Sequence, residues 1–115
     1  VFDRDGDDLR LDMPVAFPVA VLGGKIEVPL VDGGRTTLSV SPGTPSGHVL
    51  RLRGKGLPSL RGGTGDLLVR LLVWVPTRLA GEERRLLEQL GQAEGLKPPG
   101  PSKSLFERVK DALGG

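Results

Sequence analysis

At 115 residues and a net charge of +2, the chain has the size of one domain and too little charge to argue by itself for a nucleic-acid or membrane-surface partner. It has no Cys, which excludes disulfides and thiolate zinc sites, and with three Phe, one Trp and no Tyr its core has to be aliphatic. No apolar run approaches the roughly 18 residues of a membrane-spanning helix and no leader-like segment opens the chain; the lack of an initial Met predicts that Val1 lies inside a longer protein, and the lack of Cys fits a reducing, cytoplasmic setting.

Residues 3–8 (Asp3-Arg4-Asp5-Gly6-Asp7-Asp8) are turn chemistry. Leu9, Leu11 and Met13 then alternate with Arg10 and Asp12, the pattern of a half-buried strand, which Pro14 is expected to stop. Val15 to Leu22 is apolar on all sides and ends in Gly23-Gly24, which predicts a short buried helical turn with a glycine exit. Pro18 is tolerated there only in a first turn. Ile26, Val28 and Leu30 alternate with Lys25, Glu27 and Pro29 in a second strand, and Pro29 marks an edge or bulge.

Asp32-Gly33-Gly34 is a hairpin turn, and Thr36, Leu38 and Val40 form the returning strand. After a Pro/Gly loop over 42–47, His48, Leu50 and Leu52 share one face of a fourth strand, opposite Val49, Arg51 and Arg53. Arg53-Gly54-Lys55-Gly56-Leu57-Pro58 reads as a tight corner. It leads to Leu67–Val75, a nearly continuous β-favouring run expected to be a central strand buried on most of both faces.

Glu82 to Leu90 carries Leu86, Leu87 and Leu90 at helical spacing with Gly91 as a stop. Residues 91–101 hold Gly91, Gly95, Pro98, Pro99, Gly100 and Pro101, and predict a semi-rigid linker without regular structure. In the last segment Ser104 and Glu107 form a capping-box pair, and Leu105, Phe106, Val109, Ala112 and Leu113 fall on one helical stripe. A helix of about ten residues is marginal alone in water, so this stripe needs a surface, either its own domain or another chain. The fold class is therefore mainly β: a small two-sheet β-sandwich with a short helix, then a C-terminal helix, a linker and a terminal helix.

Chemistry is sparse. Asp3-x-Asp5-x-Asp7 resembles the start of a calcium loop, but Asp8 and Pro14 stand where that loop needs Gly and Glu, so no metal site is assigned. Gly54-Lys55 and Gly24-Lys25 lack the upstream Gly and the following Ser or Thr of a phosphate loop. His48, the only histidine, has no partner ligand and no Ser-His-Asp order around it. No catalytic residue and no cofactor is assigned, and the chain is not expected to be an enzyme. Charge is uneven: residues 33–78 hold one acid and seven bases, a basic middle that is either a solvated sheet face or a phosphate-binding one.

Six segments in order across the chain resemble the C-terminal part of DnaJ-type co-chaperones, the forty-kilodalton heat-shock family. They are Phe2-Asp3-Arg4-Asp5-Gly6-Asp7-Asp8-Leu9; Ala20-Val21-Leu22-Gly23-Gly24 with Ile26-Glu27-Val28-Pro29; Pro42-Gly43-Thr44; Arg51-Leu52-Arg53-Gly54-Lys55-Gly56-Leu57-Pro58; Gly65-Asp66-Leu67-Leu68-Val69; and Ser102-Lys103-Ser104-Leu105-Phe106. The resemblance implies a junction with a preceding domain over 1–7, the second C-terminal client-binding β-domain over 8–90, the linker over 91–101 and a dimerisation helix over 102–115.

It further implies binding of unfolded client polypeptides and their delivery to a DnaK-type ATPase, which a J-domain with a His-Pro-Asp motif stimulates. This sequence has no His-Pro-Asp and no Cys-rich zinc repeat. The implied client groove falls on Leu9, Val28 and Leu30, whose other reading is ordinary core. The implied homodimer contact falls on Leu105, Phe106, Val109 and Leu113. A nucleic-acid-binding β-module using the basic middle is the alternative function, and a purely structural spacer a third.

Overall fold

The computed structural model describes residues 2–99. The chain divides into two compact units, Val1–Pro76 and Thr77–Gly115.

The first unit is built on alternation. β1 (Phe2–Asp5) and β2 (Asp8–Ala16) form an antiparallel hairpin, and β2 runs parallel to β6 (Leu67–Trp74). β5 (Val49–Leu52) closes a four-stranded sheet of order β1-β2-β6-β5. β3 (Gly24–Pro29) and β4 (Arg35–Val40) form a separate two-stranded sheet, and α1 (Phe17–Leu22) joins β2 to β3. The parallel register sets Leu9 beside Leu67 and Leu11 beside Val69, so both middle strands aim the same parity inward. Leu9, Leu11, Val15, Leu67, Val69 and Leu71 meet Val28 and Val40 of the second sheet and Ala20 of α1 in one core. Each such Leu or Val contributes roughly 1.5–3 kcal/mol by leaving water. The two-sheet, mainly-β arrangement expected from the sequence is what forms.

Four local expectations change. β2 does not stop at Pro14 but continues to Ala16. Leu9 N–H donates to the Asp66 carbonyl of the β6 side, so odd residues of β2 face β6 and Pro14 faces the other way; β1 reaches only to Leu11 there, and the missing N–H costs no ladder bond. The helix accordingly starts at Phe17 rather than Val15.

β6 is central but buried on one face only. Leu67, Val69 and Leu71 are inside, while Leu68 and Leu72 are half-buried and Arg70 and Trp74 exposed. Its nearly continuous apolar run, interrupted only by Arg70, hid this because the outer face carries leucines too. Residues 3–5, read as turn chemistry, belong to the edge strand β1, which is paired over its whole length with Asp8–Leu11.

In the second unit, α2 (Gly81–Leu90) forms as expected. The Glu83 carboxylate accepts the Ala80 N–H at 3.3 Å, and Gly91 N–H donates to the Leu87 carbonyl at 2.8 Å. The stretch expected to lack regular structure holds one 3₁₀ turn, η1 (Glu94–Leu96), ahead of its prolines. The division into compact units falls after Pro76, so α2 groups with the second unit and not with the sheet residues of 8–90.

Candidate functional site

The glycine corner is a three-way junction of backbone. Leu57 N–H donates to the Asp7 carbonyl at 2.8 Å, Gly56 N–H to Gly65 O at 2.8 Å and Gly65 N–H to Leu57 O at 2.8 Å. The Asp8 carboxylate accepts the Asp66 N–H at 2.7 Å, and the Asp66 carboxylate accepts the Gly54 N–H at 3.0 Å. A Cβ on Gly56 would lie 2.6 Å from Asp66 O and 2.7 Å from Asp7 O, and a Cβ on Gly65 would overlap the Asp7 carbonyl. Both positions are glycine for space. The acidic turn at 5–8 is thus consumed in structure: Asp5 pairs with Arg10 at 2.9 Å and Asp8 caps the corner. Among the described residues no three His, Asp or Glu side chains converge on a metal-sized site.

Three of the seven bases of the basic middle have acidic partners. Arg35 pairs with Glu27 at 3.3 Å, Arg51 with Asp66 at 3.6 Å and Arg70 with Asp12 at 2.8 Å. The last pair is bidentate, with Arg70 Nε and Nη2 each 2.8 Å from an Asp12 oxygen. Those hydrogen bonds, helped by the guanidinium charge, hold the Asp12 carboxyl below its ordinary range and raise the Arg70 guanidinium above its own. Arg53, Lys55, Arg61 and Arg78 have no ion pair among the described residues, and no further observation supports the nucleic-acid reading.

The residues expected to line a client groove separate. Leu9 is 4% exposed and Val28 0%, both in the core cluster, because inward parity on β2 and β3 points them between the two sheets. As folded, neither presents side-chain area to a ligand. Leu30, just beyond β3, is half-buried and packs on the rim of the core. Leu105, Phe106, Val109 and Leu113 lie outside the described residues.

One accessible apolar surface lies on α1, in addition to other exposed hydrophobics of the first unit such as Val31, Val49, Leu60, Trp74 and Val75. Phe17 and Val21, one helical turn apart, are each 40% exposed and Leu22 is 75% exposed, while Ala20 is buried. The helix expected to be buried thus buries only Ala20 fully and leaves its other face exposed, because a six-residue helix lying on one layer can cover one face only.

The loop over residues 41–48 fixes that helix. Gly43 and Thr44 N–H groups donate to the Val21 and Ala20 carbonyls, each at 3.0 Å, and Gly23 N–H to the Val19 carbonyl at 2.9 Å. Three carbonyls of the last turn are thereby satisfied. Beside the same loop opens a pocket of about 280 Å³, lined by Val40, Leu50 and Leu71 together with Ser39, Thr44 and His48.

The sequence of the first unit matches a family model along its whole length: residues 1–76 fit the DnaJ C terminal domain. Similar proteins carry the name Chaperone protein DnaJ. That of Opitutus terrae is 47% identical over 111 residues, covering 96% of this chain and 29% of that protein. The one from Burkholderia thailandensis is 49% identical over 114 residues, covering 96% of this chain and 30% of its own length. In Salinibacter ruber the match is 43% over 117 residues, 97% of this chain and 30% of the relative. The chain thus spans less than a third of the length of these relatives. The family-model match over residues 1–76 and the likeness to these proteins over nearly all of this chain place it in one family: the chain belongs to the DnaJ chaperones and carries their C-terminal domain.

Proposed function

We propose that this chain is the client-binding and dimerisation part of a DnaJ-type co-chaperone that hands unfolded polypeptides to a DnaK-type ATPase in the cytoplasm, with no catalytic role of its own. The observation that carries the client reading is the exposed apolar face of α1, Phe17, Val21 and Leu22, held rigidly beside the sandwich by the 41–48 loop. A shallow apolar surface suits extended peptides of varied sequence, because it asks for little geometry from the ligand. Leu30, half-buried beyond β3, is a further client contact, and Leu9 and Val28 share the core with Ala20 of α1. Residues 91–101 act as the spacer, and Leu105, Phe106, Val109 and Leu113 of the terminal segment join two copies. Joining two weak sites raises avidity through effective concentration.

The test is binding of a permanently unfolded client to the wild-type chain and to a Phe17→Ser/Leu22→Ser variant. The double variant is expected to lose roughly tenfold in affinity, about 1.4 kcal/mol, at unchanged secondary structure. Equal affinity, with chemical-shift changes absent from residues 17–22 and 30, would remove this surface as the client site.

A further inference from the structure

β5 is an edge strand, paired only with β6 among the described residues. His48 O accepts the Leu71 N–H at 2.8 Å and Gly47 N–H donates to Leu71 O at 2.6 Å. Gly47 (φ 92°) and His48 together thus oppose Leu71 in a glycine bulge. Two residues on, Leu50 faces Val69 across the ladder and turns its backbone groups to β6. By the same alternation Val49 and Arg51 turn their N–H and C=O groups outward, and no backbone hydrogen bond among the described residues engages them. Nor does Pro interrupt this edge.

The 280 Å³ pocket adjoins this strand on its core-facing side, where Leu50 lines it with Val40 and Leu71. A strand laid along β5 would exchange main-chain hydrogen bonds with Val49 and Arg51 and send alternate side chains toward the pocket and toward the exposed face. Electrostatics select the ligand. Residues 33–65 contain no Asp or Glu, and Arg51 and Arg53 stand along the exposed edge. Arg51 is shared with Asp66, whereas Arg53 has no ion pair among the described residues.

We propose that the β5 edge and its pocket form a strand-addition site for an extended peptide that carries an apolar side chain flanked by acidic ones. This site is separate from the α1 surface, so the two stand or fall independently. The edge is only four residues long, and binding is correspondingly weak and salt-sensitive.

The probes are two labelled peptides, one alternating Glu and Val and one alternating Lys and Val, titrated into the 115-residue chain with backbone amides followed by NMR. The Glu peptide is expected to shift the amides of Val49, Arg51 and Thr44 and to bind about tenfold tighter than the Lys peptide. Val49→Pro removes an outward N–H without costing a ladder bond and is expected to weaken the Glu peptide about tenfold. Arg53→Glu, which leaves the backbone alone and serves if the proline variant fails to fold, is expected to weaken it about threefold.

Shifts confined to residues 17–22, equal binding of both peptides, or no shift at Val49 and Arg51 at about millimolar peptide would each overturn the proposal. So would a Val49→Pro variant that loses self-association but keeps peptide binding, which would assign the edge to a second copy of the chain.

Discussion

Gly56 and Gly65 sit where a methyl group has no room, and this separates them from most other glycines of the chain. Gly54 has φ 72° with open space around it, so a side chain there meets only backbone strain, on the order of 1–2 kcal/mol. At Gly65 an added Cβ meets the Asp7 carbonyl, and three chain segments share that junction, so none of them can yield alone. Gly65→Ala is expected to destabilise the domain by about 3 kcal/mol or more, against roughly half that for Gly54→Ala, in urea unfolding followed by circular dichroism. Equal losses would mean that the corner relaxes.

Asp12 shows the opposite regime, an exposed pair whose effect is real but screened. Its pKa is lower folded than unfolded, so its contribution is present above the ordinary carboxylate range and is lost as pH falls through the folded value. Asp12→Asn is therefore expected to flatten the fall of the urea midpoint below about pH 4, and a small change at pH 7 that vanishes at pH 2 would be its mark. An acid limb identical to wild type would show that the pair contributes nothing.

Among the elements, α1 is the least self-sufficient. Six residues cannot sustain a helix alone, and its alanine and valines give no cap. It persists because the 41–48 loop ties its carbonyls and because Gly23, at φ 83°, lets the chain turn directly into β3 under Pro42. A Cβ on Gly23 would stand 3.0 Å from the Pro42 ring and from Val40 O. Gly23→Ala should cost about 1–3 kcal/mol globally and, more tellingly, speed hydrogen exchange at the Gly43 and Thr44 amides before that of β6. Uniform acceleration across all strands would argue that helix and loop do not open as a local unit. Pro14 and Pro29 make the matching point for strands. A proline residue in an apolar run looks like a terminator, yet at Pro14 the unpaired side of β2 absorbs the missing donor, and at Pro29 the two-stranded sheet does the same.

For the whole molecule the open quantity is the number of copies. The homodimer reading puts the contact in the segment after the prolines, with Leu105 and Phe106 at its start. Light scattering at tens of micromolar is expected to give about twice the chain mass for residues 1–115 and the monomer mass for a chain ending at Pro101. A monomer in both cases would overturn that reading, and a dimer in both would move the contact into the domain.

Alternating leucines and valines, the Asp32-Gly33-Gly34 turn and the spaced glycines were enough to specify strands, hairpin and corner, because these depend on neighbours two to four residues apart. The family was legible for the same reason: its marks are local backbone requirements. Which face of each strand meets a second layer is a different kind of fact. Leu9 and Leu68 are both leucines in apolar strands, yet one is buried and the other half-buried, because the β3–β4 layer and α1 cover one side of the four-stranded sheet in this unit. The same layering moved the accessible apolar surface from Leu9 and Val28 to Phe17, Val21 and Leu22, and left the β5 edge open beside its pocket. The sequence by itself determined most elements through periodicity and turn residues, and the family through six ordered motifs; only the packing of one sheet on the other decided which apolar residues are core and which remain for a ligand, since burial is set by contacts between residues far apart in the chain.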